Sequence, residues 1–400
     1  MGELDARPAT ADGRADAETI GAVHFDHRVA RVRRGSTGER LGHRPELDGL
    51  RGIAVALVVV FHAGRVLADA RPRWAATGGF LGVDLFFALS GFLITVLLLG
   101  EADRRGRVSL GGFALRRGRR LLPALVALVA AAAVLAAGGW AYAPEVVRSS
   151  VVPALTFTSN QAMIDGGARA FPHLWSLAIE GQFYVVWAVV VAVAVRAPRP
   201  HAVLAGLATA GIVAVGIWRL IRFEQGDVPY FLYMGTATRF DAPLAGTLVG
   251  VAWSAGALAR LRGPVAARVA TAGLAVVVVW AVVLPDPFDA RLYHGVFSIV
   301  AVAASAAVLG AVRAEPGPLT RVLAWRPLAA LGIVSYSLYL WHLPVFEVLR
   351  RNTPAWSPAA RALVAVPVAV ALAIASYRVV ERPLAKAKQR SPSEPNAYTL

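Results

Sequence analysis

Several ionisable side chains stand inside long apolar stretches, where such groups are costly and mark candidate functional sites. They are His62, Asp84, Glu180, Arg239, Asp241 and His342. A neutral histidine can take a proton from an attacking hydroxyl, and a carboxylate beside it can fix its tautomer. We therefore expect His62 to be a general base, with Asp84 and Glu180 as catalytic carboxylates. The alternative for any single residue is a hydrogen-bonded contact between helices, and Arg239 and Asp241 would suit a structural pair.

A second set of charges consists of arginines. Arg51 precedes His62 by eleven residues, which corresponds to about 16 Å along a helix. Arg117 and Arg120 are three residues apart and share one face if that segment is helical, so together they could bind a polyphosphate. The alternative is an anchor at the cytoplasmic membrane face. Two polar layers suit a long substrate such as acyl-CoA, used as a co-substrate and not as a permanently bound cofactor.

The composition excludes several classes of protein. Hydrophobic residues make up 57% of the 400 residues and charged residues 16%, against roughly 45–50% and about 25% in soluble domains. The chain is therefore an integral membrane protein. Cysteine is absent, which excludes disulfides, thiolate metal sites and a cysteine nucleophile. The net charge of +16 does not indicate nucleic-acid binding, because the basic residues lie between apolar runs. No spacing typical of a metal site occurs.

The apolar runs predict an all-α, polytopic membrane bundle of about ten helices, each long enough to cross about 30 Å of hydrocarbon. The expected spans are 49–68, 79–99, 121–140, 174–195, 202–222, 231–254, 267–285, 294–313, 328–349 and 360–380. Lys and Arg concentrate in the loops that place both termini in the cytoplasm. We expect a disordered basic tail over 1–44, a membrane domain over 45–385 and a disordered tail over 386–400.

The polar motifs of these spans, taken in order, resemble those of the acyltransferase 3 family, whose members O-acylate sugars, cell-surface polymers and some antibiotics. The matching segments are 47–52 with 61–63, 82–92, 116–123, 173–184, 239–241, 335–342 and 381–383. Many members carry a second acidic residue where this chain has Gly181, so of that pair only Glu180 corresponds. Some members add a soluble esterase-like domain after the last helix. Here about twenty residues follow it, so we expect acylation to finish in the membrane domain or on another chain.

The resemblance implies that His62 is catalytic and that Arg51, Arg117 and Arg120 contact the acyl-CoA donor. We expect the remaining substrate contacts to come from His173, Arg239, Asp241, Tyr336 and His342. The predicted activity is transfer of an acetyl or other short acyl group to a hydroxyl of a carbohydrate, glycolipid or cell-envelope polysaccharide, in the plasma membrane.

Several alternatives remain open from the sequence. The acceptor could be a macrolide-type secondary metabolite, as it is for some short members of the family. His62 could be a transient acyl carrier instead of a base. A protein of another class, a transporter or flippase of an acylated or anionic lipid, would also use intramembrane histidines and carboxylates.

Overall fold

The computed structural model of the chain describes residues 41–67, 77–167, 169–261 and 263–387. Within these ranges the secondary structure consists of helices and turns, without a β-strand, so the all-α prediction is confirmed. The expected tails over 1–44 and 386–400 lie outside the described residues, apart from 41–44 and 386–387.

The described residues form seventeen α-helices. They are α1 (Pro45–His62), α2 (Gly82–Arg105), α3 (Leu110–Ala137), α4 (Pro144–Leu155), α5 (Ser159–Ile164), α6 (Leu174–Ala194), α7 (Pro200–Glu224), α8 (Pro229–Met234), α9 (Thr236–Arg239), α10 (Asp241–Ser254), α11 (Gly263–Val283), α12 (Phe297–Arg313), α13 (Pro318–Leu323), α14 (Arg326–Ile333), α15 (Ser335–Asn352), α16 (Pro358–Ser376) and α17 (Arg382–Ala387).

The described residues contain eight helices that are long and apolar enough to cross a membrane. A ninth span forms if α14 and α15, which meet at an angle of 75°, are counted as one bent helix. These helices confirm a polytopic membrane bundle, with eight or nine spans in the described residues where about ten were expected. The expected third span, 121–140, begins later than the helix itself, because α3 starts at Leu110. Ser109 caps this start by accepting a hydrogen bond from the backbone N–H of Gly112 at 3.2 Å.

The expected sixth span, 231–254, is divided into α8, α9 and α10. The chain is extended at Gly235, between α8 and α9. Thr238 Oγ1 lies 2.9 Å from the carbonyl oxygens of both Leu232 and Gly235, which supplies a donor where the helical pattern fails. Because irregular backbone at membrane depth is tolerated only inside protein, the break is buried: Thr238 and Arg239 are almost fully inaccessible.

The centre of the bundle is formed by α2, whose apolar segment is 78% buried, whereas that of α7 is only 17% buried. Helix α10 packs directly on α2. A Cβ atom added to Gly91 would lie 1.9 Å from the backbone oxygen of Pro243, and one added to Gly246 would lie 2.0 Å from that of Ala88. Glycine therefore permits backbone contact between these two helices, as is common in membrane bundles. Helix α1 packs against α2, α14 and α15.

Candidate active site

A cavity of about 90 Å³, partly open to its surroundings, lies between α1, α2, α3, α6 and α15. Its lining consists of Arg51, Val83, Phe86, Phe87, Ser90, Leu93, Ile94, Arg117, Arg120, Leu121, Ser176, Leu177, Glu180, Tyr184, Ser335, Tyr336 and Tyr339. Charged groups and aromatic rings therefore line the same cavity.

Three arginines from two helices contribute to this lining. Arg51 comes from α1, and Arg117 and Arg120 come from one face of α3. Arg51 Nη1 lies 3.4 Å from Asp48 Oδ1, one turn earlier on α1. The guanidinium of Arg117 lies over the Tyr184 ring, at 5.4 Å from its centre. The structure thus brings together the arginines that the sequence left on separate helices.

The carboxylate of Glu180 lines the same cavity as the arginines. Ser90 on α2 and Tyr184, one turn further along α6, both donate hydrogen bonds to Glu180 Oε1. Tyr336 also lines the cavity, and its hydroxyl donates to the backbone oxygen of Leu121 at 2.7 Å. Glu180 and Tyr336 therefore belong to the polar lining shared with the arginines.

Tyr339 and Ser176 line the cavity close to a group of histidines. The Tyr339 hydroxyl donates to the backbone oxygen of His173, and Ser176 Oγ lies 2.7 Å from the Tyr339 hydroxyl. Because the tyrosine proton is engaged by a carbonyl, Ser176 is the donor in the second hydrogen bond. The ring of Tyr339 lies 5.3 Å from that of His173 and 5.8 Å from that of His342, measured between ring centres.

His62, at the end of α1, is hydrogen-bonded to His342 on α15. His62 Nδ1 lies 3.0 Å from His342 Nε2, and His342 Nδ1 lies 3.0 Å from the backbone oxygen of Leu338. His342 is fully buried, whereas His62 keeps some exposure. His62 is not among the residues that line the cavity, whereas Tyr339, whose ring centre lies 5.8 Å from that of His342, does line it.

The buried imidazole of His173 completes this histidine group. Its ring centre lies 5.4 Å from that of His342, and its two ring nitrogens have no hydrogen-bond partner in the part of the chain that the structure describes. A neutral imidazole always carries one N–H. His173 therefore retains a buried donor and a buried acceptor that a substrate could engage. Over the same described ranges, no His, Asp and Glu side chains are grouped as metal ligands.

Asp84 does not contact His62 but forms a buried ion pair with Arg239 Nη2, at 2.9 Å and 3.0 Å from its two carboxylate oxygens. A second buried pair joins Asp241 to Arg219 at 2.8 Å. The guanidinium of Arg239 lies 3.7 Å from the centre of the Phe297 ring. The expectation that Asp84 fixes the tautomer of His62 is therefore not met, because each carboxylate is paired with an arginine.

The structure distributes the charged residues over three groups of contacting side chains. The histidines form one group, the buried ion pairs form a second, and Glu180 joins the arginines in the cavity. Sequence reasoning missed Arg219, although a charged residue inside the apolar run 202–222 was a usable signal. It also missed Ser90, whose hydroxyl gains meaning only from its contact with Glu180 on another helix.

Comparison with known proteins places the sequence in a family. The model of a family described as an acyltransferase domain matches residues 44–378. The chain is 33% identical to the Bacillus subtilis protein YrhL over 355 residues, which is 85% of this chain and 54% of that protein. It is 30% identical to the O-acetyltransferase OatA of Staphylococcus aureus over 359 residues, covering 86% of this chain and 57% of the relative. The peptidoglycan O-acetyltransferase OatA of Listeria monocytogenes is also 30% identical, over 370 residues that cover 86% of this chain and 56% of that protein.

The chain spans little more than half the length of these curated relatives. No solved structure matches it significantly. The family match covers most of the chain, from the residue before α1 to the π-helical segment Tyr377–Glu381 that follows α16. Together with the polytopic helical fold, this match identifies the chain as a membrane-embedded member of the acyltransferase 3 family.

Proposed function

We propose that this protein is an O-acyltransferase of the plasma membrane that transfers an acetyl or other short acyl group from acyl-CoA to a hydroxyl of a cell-envelope polysaccharide. The observation that carries the proposal is the arginine-lined cavity whose wall includes Tyr339, the neighbour of the His342–His62 pair. Phosphate recognition and a proton acceptor are the two elements that transfer from acyl-CoA requires.

The donor end of the proposed site is the cluster of Arg51, Arg117 and Arg120. Guanidinium groups bind phosphate oxygens through paired, charge-assisted hydrogen bonds, so the nucleotide of acyl-CoA is placed here. The apolar lining, which includes Phe87 and Leu93, suits the pantetheine arm. Since basic residues favour the cytoplasmic side, this end of the bundle faces the cytoplasm, which contains the acyl-CoA pool.

The reaction takes place at His62. The hydroxyl of the acceptor gives its proton to the imidazole as its oxygen attacks the thioester carbonyl. The carbon–sulfur bond breaks, and the leaving thiolate takes the proton back from the imidazolium. The products are an ester and free CoA, and His62 returns to its neutral form. His173, with its unused ring nitrogens, is placed to bind an oxygen of the acceptor or of the thioester.

The cavity meets the histidine group at Tyr339 and Ser176, which line it, and we place the thioester of the donor against this wall. Their hydrogen bonds to each other and to the His173 carbonyl are each worth about 0.5–1.5 kcal/mol net. Such contacts can be exchanged for contacts with a substrate.

The names of the relatives support a cell-envelope acceptor. The two OatA proteins are O-acetyltransferases, and the Listeria protein is named for peptidoglycan. We extend this substrate class to the present chain and favour it over a macrolide. The acetyl group is the corresponding choice of acyl group.

The test uses the full chain, purified in detergent or lipid nanodiscs, with acetyl-CoA and soluble peptidoglycan glycan fragments. We expect release of CoA thiol together with an increase in glycan mass by one acetyl group. His62→Ala should lower turnover by about 10²–10⁴-fold, the usual contribution of a general base. His201→Ala is the matched control, because His201 lies at the start of α7 and not in the cavity lining.

Wild-type turnover by the His62→Ala variant would exclude His62 from the mechanism. Thiol release without acetylated glycan would overturn the proposed acceptor but not the use of acyl-CoA. Movement of an acylated lipid across the membrane of vesicles that contain the reconstituted protein, with no thiol released, would instead indicate a transporter.

A further inference from the structure

The histidine pair is part of a directed chain of hydrogen bonds. The chain starts at the backbone oxygen of Leu338, passes through both nitrogens of His342 and ends at Nδ1 of His62. Each of the two links is 3.0 Å long. These links join α1 to α15, two helices that are also in direct contact.

The direction of these hydrogen bonds follows from the chemistry of their first member. A carbonyl oxygen only accepts, so His342 Nδ1 must carry a hydrogen. A neutral His342 then has its lone pair on Nε2, which makes His62 Nδ1 the donor in the next link. His62 in turn has its own lone pair on Nε2. The Leu338 carbonyl thus determines the tautomer of His342, and His342 Nε2 in turn favours the hydrogen on Nδ1 of His62.

The argument requires His342 to be neutral, and its surroundings meet this condition. The side chain is fully buried. Its hydrogen-bond partners are a backbone carbonyl and another imidazole, and its ring neighbours are Tyr339, His173 and Phe346. Burying a charge without an opposite charge is very costly, so a neutral ring is favoured.

We propose that His342 is a positioning residue that holds His62 in the tautomer whose Nε2 can accept a proton. This inference rests on the proposed function, in which His62 acts as the general base, and it names the residue that keeps His62 Nε2 free to accept the proton. In serine hydrolases a carboxylate orients the catalytic histidine in the same way. Here a neutral imidazole replaces the carboxylate, and Asp84 is committed to Arg239.

The proton transfers are balanced in this arrangement. When His62 Nε2 takes the proton of the acceptor hydroxyl, Nδ1 keeps its hydrogen and continues to donate to His342 Nε2. His342 changes neither its protonation nor its bond to Leu338. The thiolate leaving group then removes the proton from His62 Nε2, and the starting tautomer is restored. Without His342, the hydrogen on His62 can move to Nε2, which can no longer act as the base.

Three substitutions separate positioning from a merely structural role. In His342→Asn the side-chain amide takes the position of the histidine Nδ1. It can keep the hydrogen bond to the Leu338 carbonyl but is too short to reach His62. In His342→Gln the side-chain amide takes the position of the histidine Nε2, and its oxygen can accept a hydrogen bond from His62 Nδ1. His342→Phe fills the space and supplies neither bond. Turnover is measured with acetyl-CoA and peptidoglycan glycan fragments, using the full chain in nanodiscs.

We expect His342→Asn and His342→Phe to lower kcat by about 10–100-fold, as removal of an orienting partner does at other sites. The KM for acetyl-CoA should stay within about twofold of wild type. His342→Gln should retain more activity than His342→Asn. The double variant His62→Ala/His342→Phe should be no slower than His62→Ala alone, since the effect of His342 passes through His62.

A higher activity of the Asn variant than of the Gln variant would overturn the proposal and assign His342 a structural role. Unchanged kcat in all three variants, with His62→Ala inactive, would also overturn it while leaving the proposed function intact. An active His62→Ala variant would instead contradict the proposed function itself. If His342→Phe does not fold, the order of the Asn and Gln variants still decides.

Discussion

Asp84 and Arg239 form an ion pair in the centre of the bundle, in which Arg239 Nη2 lies 2.9 Å and 3.0 Å from the two oxygens of the carboxylate. Both residues are 1% exposed. The pair joins α2 to α9, next to the break that precedes α10. Its position indicates that Asp84 stabilises the helix packing and does not serve as a partner of His62.

We expect Asp84→Asn to destabilise the protein by about 3–5 kcal/mol, because it leaves a buried guanidinium without its counter-charge. The double variant Asp84→Leu/Arg239→Met should recover much of this loss, since it removes both charges. Thermal unfolding in detergent measures both effects. An Asp84→Asn variant with the wild-type Tm but without turnover would contradict this prediction and restore Asp84 as a catalytic carboxylate.

The arginine cluster should control donor binding. Arg117→Ala and Arg120→Ala remove groups from the cavity lining, and hydrogen bonds to charged groups contribute about 1.5–3 kcal/mol each. We expect the KM for acetyl-CoA to rise about 10–100-fold with kcat changed little. Steady-state kinetics with varied acetyl-CoA checks this. Arg119→Ala is the control, because Arg119 lies on the same helix but is exposed; equal effects in all three variants would reassign the cluster to membrane topology.

Tyr339 should affect turnover more than donor binding. Tyr339→Phe removes the hydrogen bonds to Ser176 and to the His173 carbonyl, each worth about 0.5–1.5 kcal/mol net. Since His173 then loses a fixed neighbour, we expect kcat to fall about tenfold with little change in donor KM. The kinetics of Tyr336→Phe, which loses only the bond to the Leu121 carbonyl, provide the comparison. A larger loss of kcat in Tyr336→Phe would contradict the assignment.

The contact between α2 and α10 should not tolerate even a methyl group. Gly246→Ala would place a Cβ 2.0 Å from the Ala88 backbone oxygen, and such overpacking costs roughly 1–3 kcal/mol. Gly206→Ala on α7 is the matched control, because a Cβ atom there meets nothing within 4 Å. Since alanine favours the helix more than glycine does, this variant should gain up to about 1 kcal/mol of stability. The Tm of the two variants should therefore move in opposite directions, and a stable Gly246→Ala would refute the packing argument.

The sequence by itself determined the class of fold, the membrane setting and most of the residues that matter. Length and apolarity of a run are local properties, so they predicted the spans well. They failed at 231–254, where Thr238 and buried surroundings compensate for a break at Gly235. Part of this compensation is local, but the carbonyl of Thr238 accepts a hydrogen bond from Arg219 on α7, a contact that the sequence does not reveal.

Only the tertiary structure decided which of these residues meet. Depth along a helix can be counted from the sequence at about 1.5 Å per residue, which placed His62, Asp84 and His342 at similar depths. The direction in which each side chain points depends on how its helix is rotated against its neighbours, and that rotation is set by packing. His62 therefore meets His342, 280 residues away, while Asp84 pairs with Arg239.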